Sequence, residues 1–273
     1  MSEMNDSVSV SVSPYPQSGL WPQLRRMVRV IRVVLYLLWG FILAFLLGAF
    51  WSPYRPVVLA AKQSWCRRFL RILGVELMVT GSRVEAPVFL VSNHVSWLDI
   101  PVIASQRHLY FLSKAEVGDW PLIGNLARAM GTLFIKRGSG ESVRKAQEIA
   151  SRLQQGHTVL VFPEGTTTDG SSLSRFFPQL FDAPLLAGVP VQPLAVRYLD
   201  SMGAPDPGLA FIGDDEFHDH LWAMLLRPKI RVRLHFCTPL DGEGMDRKAL
   251  SVRAHERVEE QLTVDSGQLK ARG

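Results

Sequence analysis

The hydrophobic positions of the chain follow two different patterns, which meet near residue 75. Residues 33–54 form one long apolar run without a charged residue, and a helix needs about 20 such residues to cross the hydrocarbon core of a bilayer. Beyond residue 75, short apolar runs alternate with segments of helical spacing. The chain is therefore expected to combine a membrane-anchoring part with a folded domain.

The second pattern is typical of an α/β domain. A segment of helical spacing over residues 141–155 stops at Gly156, a residue typical of helix C-termini, and the charged residues 246–262 indicate another helix with a solvated face. The apolar runs predicted to be strands cover residues 88–91, 109–112, 132–135, 158–162, 191–196 and 230–236. The alternation predicts a central, mostly covered mixed sheet flanked by helices, preceded by an N-terminal helical membrane anchor.

Basic residues lie on both sides of the long apolar run. Four arginines precede it between residues 25 and 32, and one lysine and three arginines follow between residues 62 and 71. Since such residues normally mark the cytoplasmic side, a single crossing would leave one basic flank on the wrong side. The segment after Pro56 has the pattern of an interfacial amphipathic helix. We therefore predict a bent anchor that enters and leaves the same leaflet.

These patterns predict three regions. Residues 1–20 lack a helical period and are expected to be a mobile tail, residues 21–74 the anchor, and residues 75–273 the folded domain. A signal peptide is the alternative for the apolar run, but the run is long, lies late in the chain and lacks a convincing small-residue cleavage site. The expected location is the inner (cytoplasmic) membrane, with the folded domain on its cytoplasmic face.

Charge and cysteine content narrow the range of partners. The formal net charge of +5 favours an anionic partner, such as a phospholipid surface, an acidic carrier or a nucleic acid. The basic residues near 67–71 adjoin the anchor and no nucleic-acid motif is found, so a membrane partner is expected and a nucleic acid is not. Cys66 and Cys237 form neither a disulfide framework nor a CxxC pair.

A histidine and an aspartate follow the first predicted strand. His94 lies in a polar turn, and Asp99 lies five residues later in a helix expected to begin near Trp97. A neutral imidazole can take a proton from an alcohol, and a carboxylate on its other nitrogen fixes the tautomer and stabilises the imidazolium. Taken alone, the spacing is better explained by a helix-capping aspartate beside an incidental histidine.

Two further predicted strands end in polar residues. Lys136 and Arg137 end one strand, and Glu164 lies in the tight turn that ends another. Because ligands of α/β sheets bind beyond the carboxyl ends of strands, His94, Arg137 and Glu164 can face one crevice. A solvated strand end and a turn carboxylate are the alternatives for each residue by itself.

Four blocks of this sequence together resemble the glycerophospholipid acyltransferases, which include bacterial 1-acylglycerol-3-phosphate acyltransferases. Residues 93–99, NHVSWLD, resemble the family's NHxxxxD motif, and residues 131–137, 162–166 and 189–193 resemble its next three blocks, in order. The resemblance implies that the acceptor hydroxyl attacks an acyl thioester directly, with His94 as general base and Asp99 orienting it, and that no covalent acyl-enzyme forms.

The same resemblance implies roles for other positions. Arg137, Glu164, Gly165 and Thr166 would bind the polar head of the acceptor, and Pro193 would shape the acyl side of the site. The planar guanidinium of Arg137 independently suits a phosphate. Neither a metal ion nor a cofactor is expected, apart from acyl-CoA or acyl carrier protein as the donor substrate.

The expected function is a membrane-bound O-acyltransferase acting on a lysolipid, with 1-acyl-sn-glycerol-3-phosphate as acceptor and phosphatidate as product in phospholipid biosynthesis. One departure from the family argues against a phosphate-bearing acceptor. Many members carry a basic residue after FPEGT, whereas this chain continues TTDG over residues 167–170. Lyso-ornithine lipid O-acyltransferase is therefore the main alternative. A catalytically silent lipid-binding homologue, and a lipid hydrolase or transacylase, are the others.

Overall fold

A seven-stranded mixed sheet forms the centre of the structure, a computed structural model that describes residues 19–53, 55–85, 87–119, 123–136, 142–213 and 215–270. Its strands are β1 (Val75–Gly81), β2 (Phe89–Ser92), β3 (Tyr110–Lys114), β4 (Leu133–Ile135), β5 (Val159–Val161), β6 (Val191–Leu199) and β7 (Ile230–Phe236). The order is β1-β7-β6-β2-β5-β3-β4. Strands β2 to β6 are parallel, and β7 and β1 run the other way.

Helices cover both faces of this sheet. They are α1 (Leu20–Leu46), α2 (Pro56–Leu73), α3 (Asp99–Ala104), α4 (Ala115–Gly118), α5 (Ile123–Ala129), α6 (Ser142–Gln154), α7 (Asp182–Ala187), α8 (Phe217–Leu226) and α9 (Arg247–Lys270). Along β2, Leu90 joins the apolar cluster formed with α2, α3 and α8, whereas Phe89 and Val91 join the cluster formed with α6 and α9. The predicted α/β fold with a covered mixed sheet is confirmed.

The predicted elements of the folded domain are present with small shifts. All six predicted strands occur, and α6 ends just before Gly156, whose φ of +86° suits a glycine. Strand β1 was not predicted, because it lies at the sheet edge, where its residues alternate between half-buried and exposed. Helix α9 continues to Lys270, beyond the predicted end at residue 262. Of the predicted tail, residues 1–18 lie outside the described residues.

The N-terminal helices form a hairpin whose boundaries differ from the apolar run. Helix α1 begins at Leu20 and takes in the arginines before the run, and it ends at Leu46, where turns with Gly48 at φ +68° reverse the chain. Helix α2 then packs back on α1. The ring of Tyr36 stacks on Trp65 at 5.2 Å, and a Cβ on Gly40 would lie 2.6 Å from the Trp65 indole nitrogen, so this contact requires glycine.

The chain thus reverses as the bent anchor requires, and the outward face of α1 is apolar. Within the described ranges, α1 alone is long and apolar enough to cross a membrane. Leu35, Leu38 and Ile42 are 60%, 49% and 51% exposed. This surface suits a lipid environment, while its insertion into a bilayer stays a prediction.

The hairpin is fastened to the folded domain by polar contacts. The Arg25 and Arg29 guanidiniums donate to Leu226 O at 2.8 Å and Pro228 O at 2.9 Å, at the C-terminal end of α8. Cations are favourable there because the last carbonyls of a helix lack intrahelical partners. On α2, the buried Lys62 donates to Leu109 O and, at 2.9 Å, to Met130 O. Two of the arginines predicted to flank a membrane segment therefore bind the protein itself.

Candidate active site

His94 and Asp99 meet at the carboxyl end of β2. The loop after β2 turns into α3, and His94 Nδ1 lies 2.8 Å from Asp99 Oδ2. A carboxylate only accepts hydrogen bonds, so Nδ1 carries the proton and Nε2 keeps its lone pair. Asp99 is fully buried, whereas 17% of the His94 side chain is exposed. The exposed member of the pair is therefore the one that can act as a base.

Asp99 is held by three further donors. Its Oδ2 accepts the Val95 and Ser96 backbone N–H groups at 2.8 and 3.0 Å, and its Oδ1 accepts the Tyr198 hydroxyl at 2.6 Å. Together these hydrogen bonds fix the direction of the carboxylate. Burial, together with the neighbouring Asp99 charge, raises the pKa of Tyr198 well above its usual value. Tyr198 therefore remains a hydroxyl donor.

Sequence reasoning missed Tyr198. It lies on β6, 99 residues from Asp99 along the chain, beyond the end of the predicted strand at residue 196. A tyrosine in an apolar strand looks like an ordinary core residue, because nothing local marks the partner of its hydroxyl. Only the parallel pairing of β2 with β6 brings it to the site.

Asn93 explains how the loop leaves the sheet. The last register pair of β2 and β6 is Ser92 with Leu194. One step further, the Asn93 side chain donates to Val196 O at 2.9 Å and accepts from Val196 N at 2.8 Å. The amide thus replaces the next two ladder hydrogen bonds of β6, and His94 is free to turn away from the strand.

Glu164 supports the histidine from the neighbouring strand. It follows β5, and its Oε1 accepts the His94 backbone N–H at 2.7 Å, while its Oε2 accepts the Ser174 N–H at 2.9 Å. Burial raises the pKa of Glu164 to about 7. The Phe162 ring, before it, stacks on the His94 imidazole with centroids 3.9 Å apart. The turn after β5 therefore fixes both the backbone and the ring of His94.

The other predicted site residues lie in different surroundings. Gly165 has φ +75°, and a Cβ there would lie 3.3 Å from the Phe177 ring. Thr166 is exposed beside it. Pro193 is buried in β6, paired with Val91. Arg137 lies outside the described residues. The predicted roles of these four residues, and of Glu164 toward an acceptor, stay predictions.

Helix α8 contacts the loop that carries His94, on the side of the N-terminal hairpin. The Trp97 indole N–H donates to His220 Nδ1 at 3.1 Å, and the Trp97 ring meets Phe217 edge-on at 5.2 Å. Burial lowers the pKa of His220, so its ring is neutral and can accept this hydrogen bond. The loop that carries His94 is therefore braced by a helix that also contacts α1.

The chemistry available is that of a general base. In the part of the chain that the structure describes, no group of His, Cys, Asp and Glu residues is arranged to hold a metal ion. The His94–Asp99 pair has the geometry of the base and its orienting acid in a catalytic triad. A hydroxyl placed at Nε2 would lose its proton to the imidazole as it attacks an electrophile.

Comparisons with known proteins agree on one chemistry. Residues 71–197 match the family model described as Acyltransferase. A lyso-ornithine lipid O-acyltransferase of Pseudomonas aeruginosa is 44% identical over 194 residues, 71% of this chain and 75% of that one. One from Brucella abortus is 34% identical over 229 residues, 76% of this chain and 86% of that one.

Matches of lower identity are named for a phosphate-bearing acceptor. A 1-acyl-sn-glycerol-3-phosphate acyltransferase of Neisseria meningitidis is 32% identical over 198 residues, 70% of this chain and 76% of that one. The crystal structure of the 1-acyl-sn-glycerophosphate acyltransferase PlsC from Thermotoga maritima matches with a TM-score of 0.61 at 24% identity, over 90% of this chain and 99% of that chain. This structural match supports the fold.

Proposed function

Since this chain belongs to the acyltransferase family and is a lysolipid O-acyltransferase, we propose that its acceptor is lyso-ornithine lipid. The observation that carries this proposal is the 44% identity to a lyso-ornithine lipid O-acyltransferase, against 32% to a 1-acyl-sn-glycerol-3-phosphate acyltransferase. Thr167, where many family members carry a basic residue, also favours an acceptor without a phosphate. Lyso-ornithine lipid is thus preferred as the acceptor over the expected 1-acyl-sn-glycerol-3-phosphate.

In the proposed reaction, His94 Nε2 accepts the proton of the acceptor hydroxyl while the hydroxyl oxygen attacks the thioester carbonyl. The C–S bond then breaks, and the departing thiolate takes the proton from the imidazolium. Asp99 fixes the His94 tautomer and stabilises the imidazolium between these two steps. Tyr198 and the backbone donors at residues 95 and 96 keep the carboxylate in place.

The thioester donor is proposed to be acyl-CoA or acyl carrier protein. Both are anionic, which suits the net charge of +5. We also propose that the hairpin, in residues 21–74, lies in the inner membrane with the domain of residues 75–273 on its cytoplasmic side. Support comes from the apolar outward face of α1 and from the exposed Arg32, Arg68 and Arg71, which lie on either side of its apolar run.

The test is acyl transfer by the full chain in lipid vesicles. Each donor is offered with lyso-ornithine lipid and, separately, with 1-acyl-sn-glycerol-3-phosphate, and wild type is compared with His94→Ala and Asp99→Asn. We expect transfer to lyso-ornithine lipid and a loss of about 10²- to 10⁴-fold in kcat for both variants, because each removes part of the general base.

His108→Ala is the matched control, since His108 is an exposed histidine of the same domain, and it should keep wild-type activity. Transfer to 1-acyl-sn-glycerol-3-phosphate alone would overturn the proposed acceptor. Wild-type rates in Asp99→Asn would overturn the proposed role of the carboxylate.

A further inference from the structure

The loop after Glu164 carries an exposed carboxylate next to the catalytic histidine. Thr168 N donates to His94 O at 2.8 Å. Gly170 has φ +74°, and a Cβ there would lie 3.3 Å from the Val95 side chain. Asp169 stands between these two residues and is exposed. Its backbone is therefore tied on both sides to the segment that carries the proposed base.

Local hydrogen bonds favour the charged form of Asp169. Its Oδ1 accepts the Ser171 backbone N–H at 2.9 Å and the Ser171 hydroxyl at 2.7 Å. These hydrogen bonds lower the pKa of the Asp169 carboxyl. Because both bonds use one oxygen and the residue remains exposed, an ionised carboxylate is presented to solvent at a defined position beside the site.

A positive charge lies further along the same loop. Ser174 donates its N–H to Glu164 Oε2 at 2.9 Å, and the exposed Arg175 follows it directly. The Arg175 guanidinium lies 4.8 Å from the centre of the Phe177 ring, a cation–π contact that orients it. The loop of residues 165–175 thus presents charges of both signs, each one residue away from a backbone contact to His94 or Glu164.

This pair of charges suits a head group that carries both a positive and a negative charge. A phosphate monoester brings only negative charge, so it meets repulsion from Asp169. Ornithine acylated on its α-nitrogen keeps a side-chain ammonium and a free carboxylate, and it therefore offers a partner of opposite sign to each residue. A zwitterionic amino-acid head group fits the loop better than a phosphate does.

We propose that Asp169 is a specificity-determining residue that binds the ammonium group of the acceptor, with Arg175 binding the carboxylate of the same head group. This inference rests on the proposed function, whose acceptor is lyso-ornithine lipid. It also explains why residues 167–170 differ from the family pattern. In place of a basic residue that suits a phosphate, this loop carries a carboxylate that suits a cation.

The test pairs a variant with a substrate analogue. Acyl transfer by the full chain in vesicles is measured for wild type and Asp169→Asn, with lyso-ornithine lipid and with the same lipid acetylated on its side-chain amine. In wild type, acetylation should lower kcat/KM about fivefold or more, chiefly through KM. Asp169→Asn should lose as much on the unmodified acceptor, and acetylation should then cost the variant little, because the same ion pair is already missing.

Asp241→Asn is the matched control. Asp241 Oδ1 also accepts a backbone N–H two residues on, from Glu243 at 3.1 Å, but the neighbouring Leu240 pairs with Val191 at the start of β6, the end of the sheet away from His94. This variant should behave as wild type with both acceptors. If acetylation lowers kcat/KM of Asp169→Asn as much as that of wild type, the inference about Asp169 is overturned and the proposed function is not affected. Absence of wild-type transfer to lyso-ornithine lipid would instead overturn the proposed function.

Discussion

Glu164 shows how a single buried carboxyl makes folding depend on pH. Its pKa is raised to about 7 by burial, whereas an unfolded glutamate titrates near pH 4.3. Between these values the folded chain binds more protons than the unfolded chain, so the contribution of Glu164 is fully present below the unfolded pKa and is lost as the pH rises to about 7.

Glu164→Gln should remove this dependence. Because glutamine does not titrate, the variant should gain stability relative to wild type, by about 3 kcal/mol, as the pH rises from 4 to 8. Chemical unfolding of both proteins in the same detergent at several pH values measures this difference. The contributions of the other titrating groups cancel because both proteins contain them. Parallel pH curves would show that Glu164 titrates normally.

The site residues that could be predicted from the sequence are those that belong to a local motif. His94 and Asp99 are five positions apart, and one turn brings them together. Glu164 was predicted from its turn, but its actual partners, the N–H groups of His94 and Ser174, were not. Tyr198 and His220 were missed because each reaches the site through the packing of a distant strand or helix.

Among the elements, α8 is expected to affect catalysis through its hydrogen bond with Trp97. His220→Ala removes the acceptor of the Trp97 N–H, which should loosen the loop and lower kcat about fivefold, as expected for the loss of one hydrogen bond of about 1 kcal/mol. His220→Asn should restore most of the rate, since its side-chain oxygen can take the place of Nδ1. Steady-state kinetics on the two variants measure this.

His218→Ala on the same helix is the control, because His218 is 76% exposed, and it should leave kcat unchanged. Equal losses in His220→Ala and His220→Asn would show that α8 acts by packing rather than through this hydrogen bond.

Elements were predictable where burial sets the pattern. The central strands β2, β5 and β6 are buried at every position, so they appear as mostly apolar runs without strict alternation, as strands covered on both faces do. Helix α1 begins before the apolar run, because Arg25 and Arg29 bind carbonyl groups of the folded domain and do not end the helix. Arg25 and Arg29 lie four residues apart, on one face of the helix, where they reach the end of α8.

For the whole molecule, the outward face of α1 is the part expected to enter a bilayer. Replacing Leu35, Leu38 and Ile42 together by glutamine, a good helix former, should lower vesicle binding at least about tenfold, because each buried apolar side chain contributes about 1.5 to 3 kcal/mol. Activity on lipid acceptors should fall in parallel. Flotation with vesicles measures binding, and circular dichroism shows whether the fold is kept.

Val252→Gln on α9 is the control, since Val252 is 55% exposed on the folded domain. Unchanged flotation of the triple variant would overturn the anchor assignment. Deletion of residues 1–54 is a poorer test, because it also removes Arg25, Arg29 and the buried Val33 from their contacts with the domain.

The shared core of hairpin and domain has a thermodynamic consequence. Val33 of α1 and Phe69 of α2 belong to the same apolar cluster as Leu90 of β2 and Leu234 of β7. Anything that binds the folded chain in preference to the unfolded chain adds its binding free energy to the stability of the fold. A bilayer that takes up the hairpin is therefore a stabilising ligand of the catalytic domain. If the hairpin lies in the bilayer as proposed, protein that leaves the bilayer should lose both access to the lysolipid and part of its resistance to unfolding.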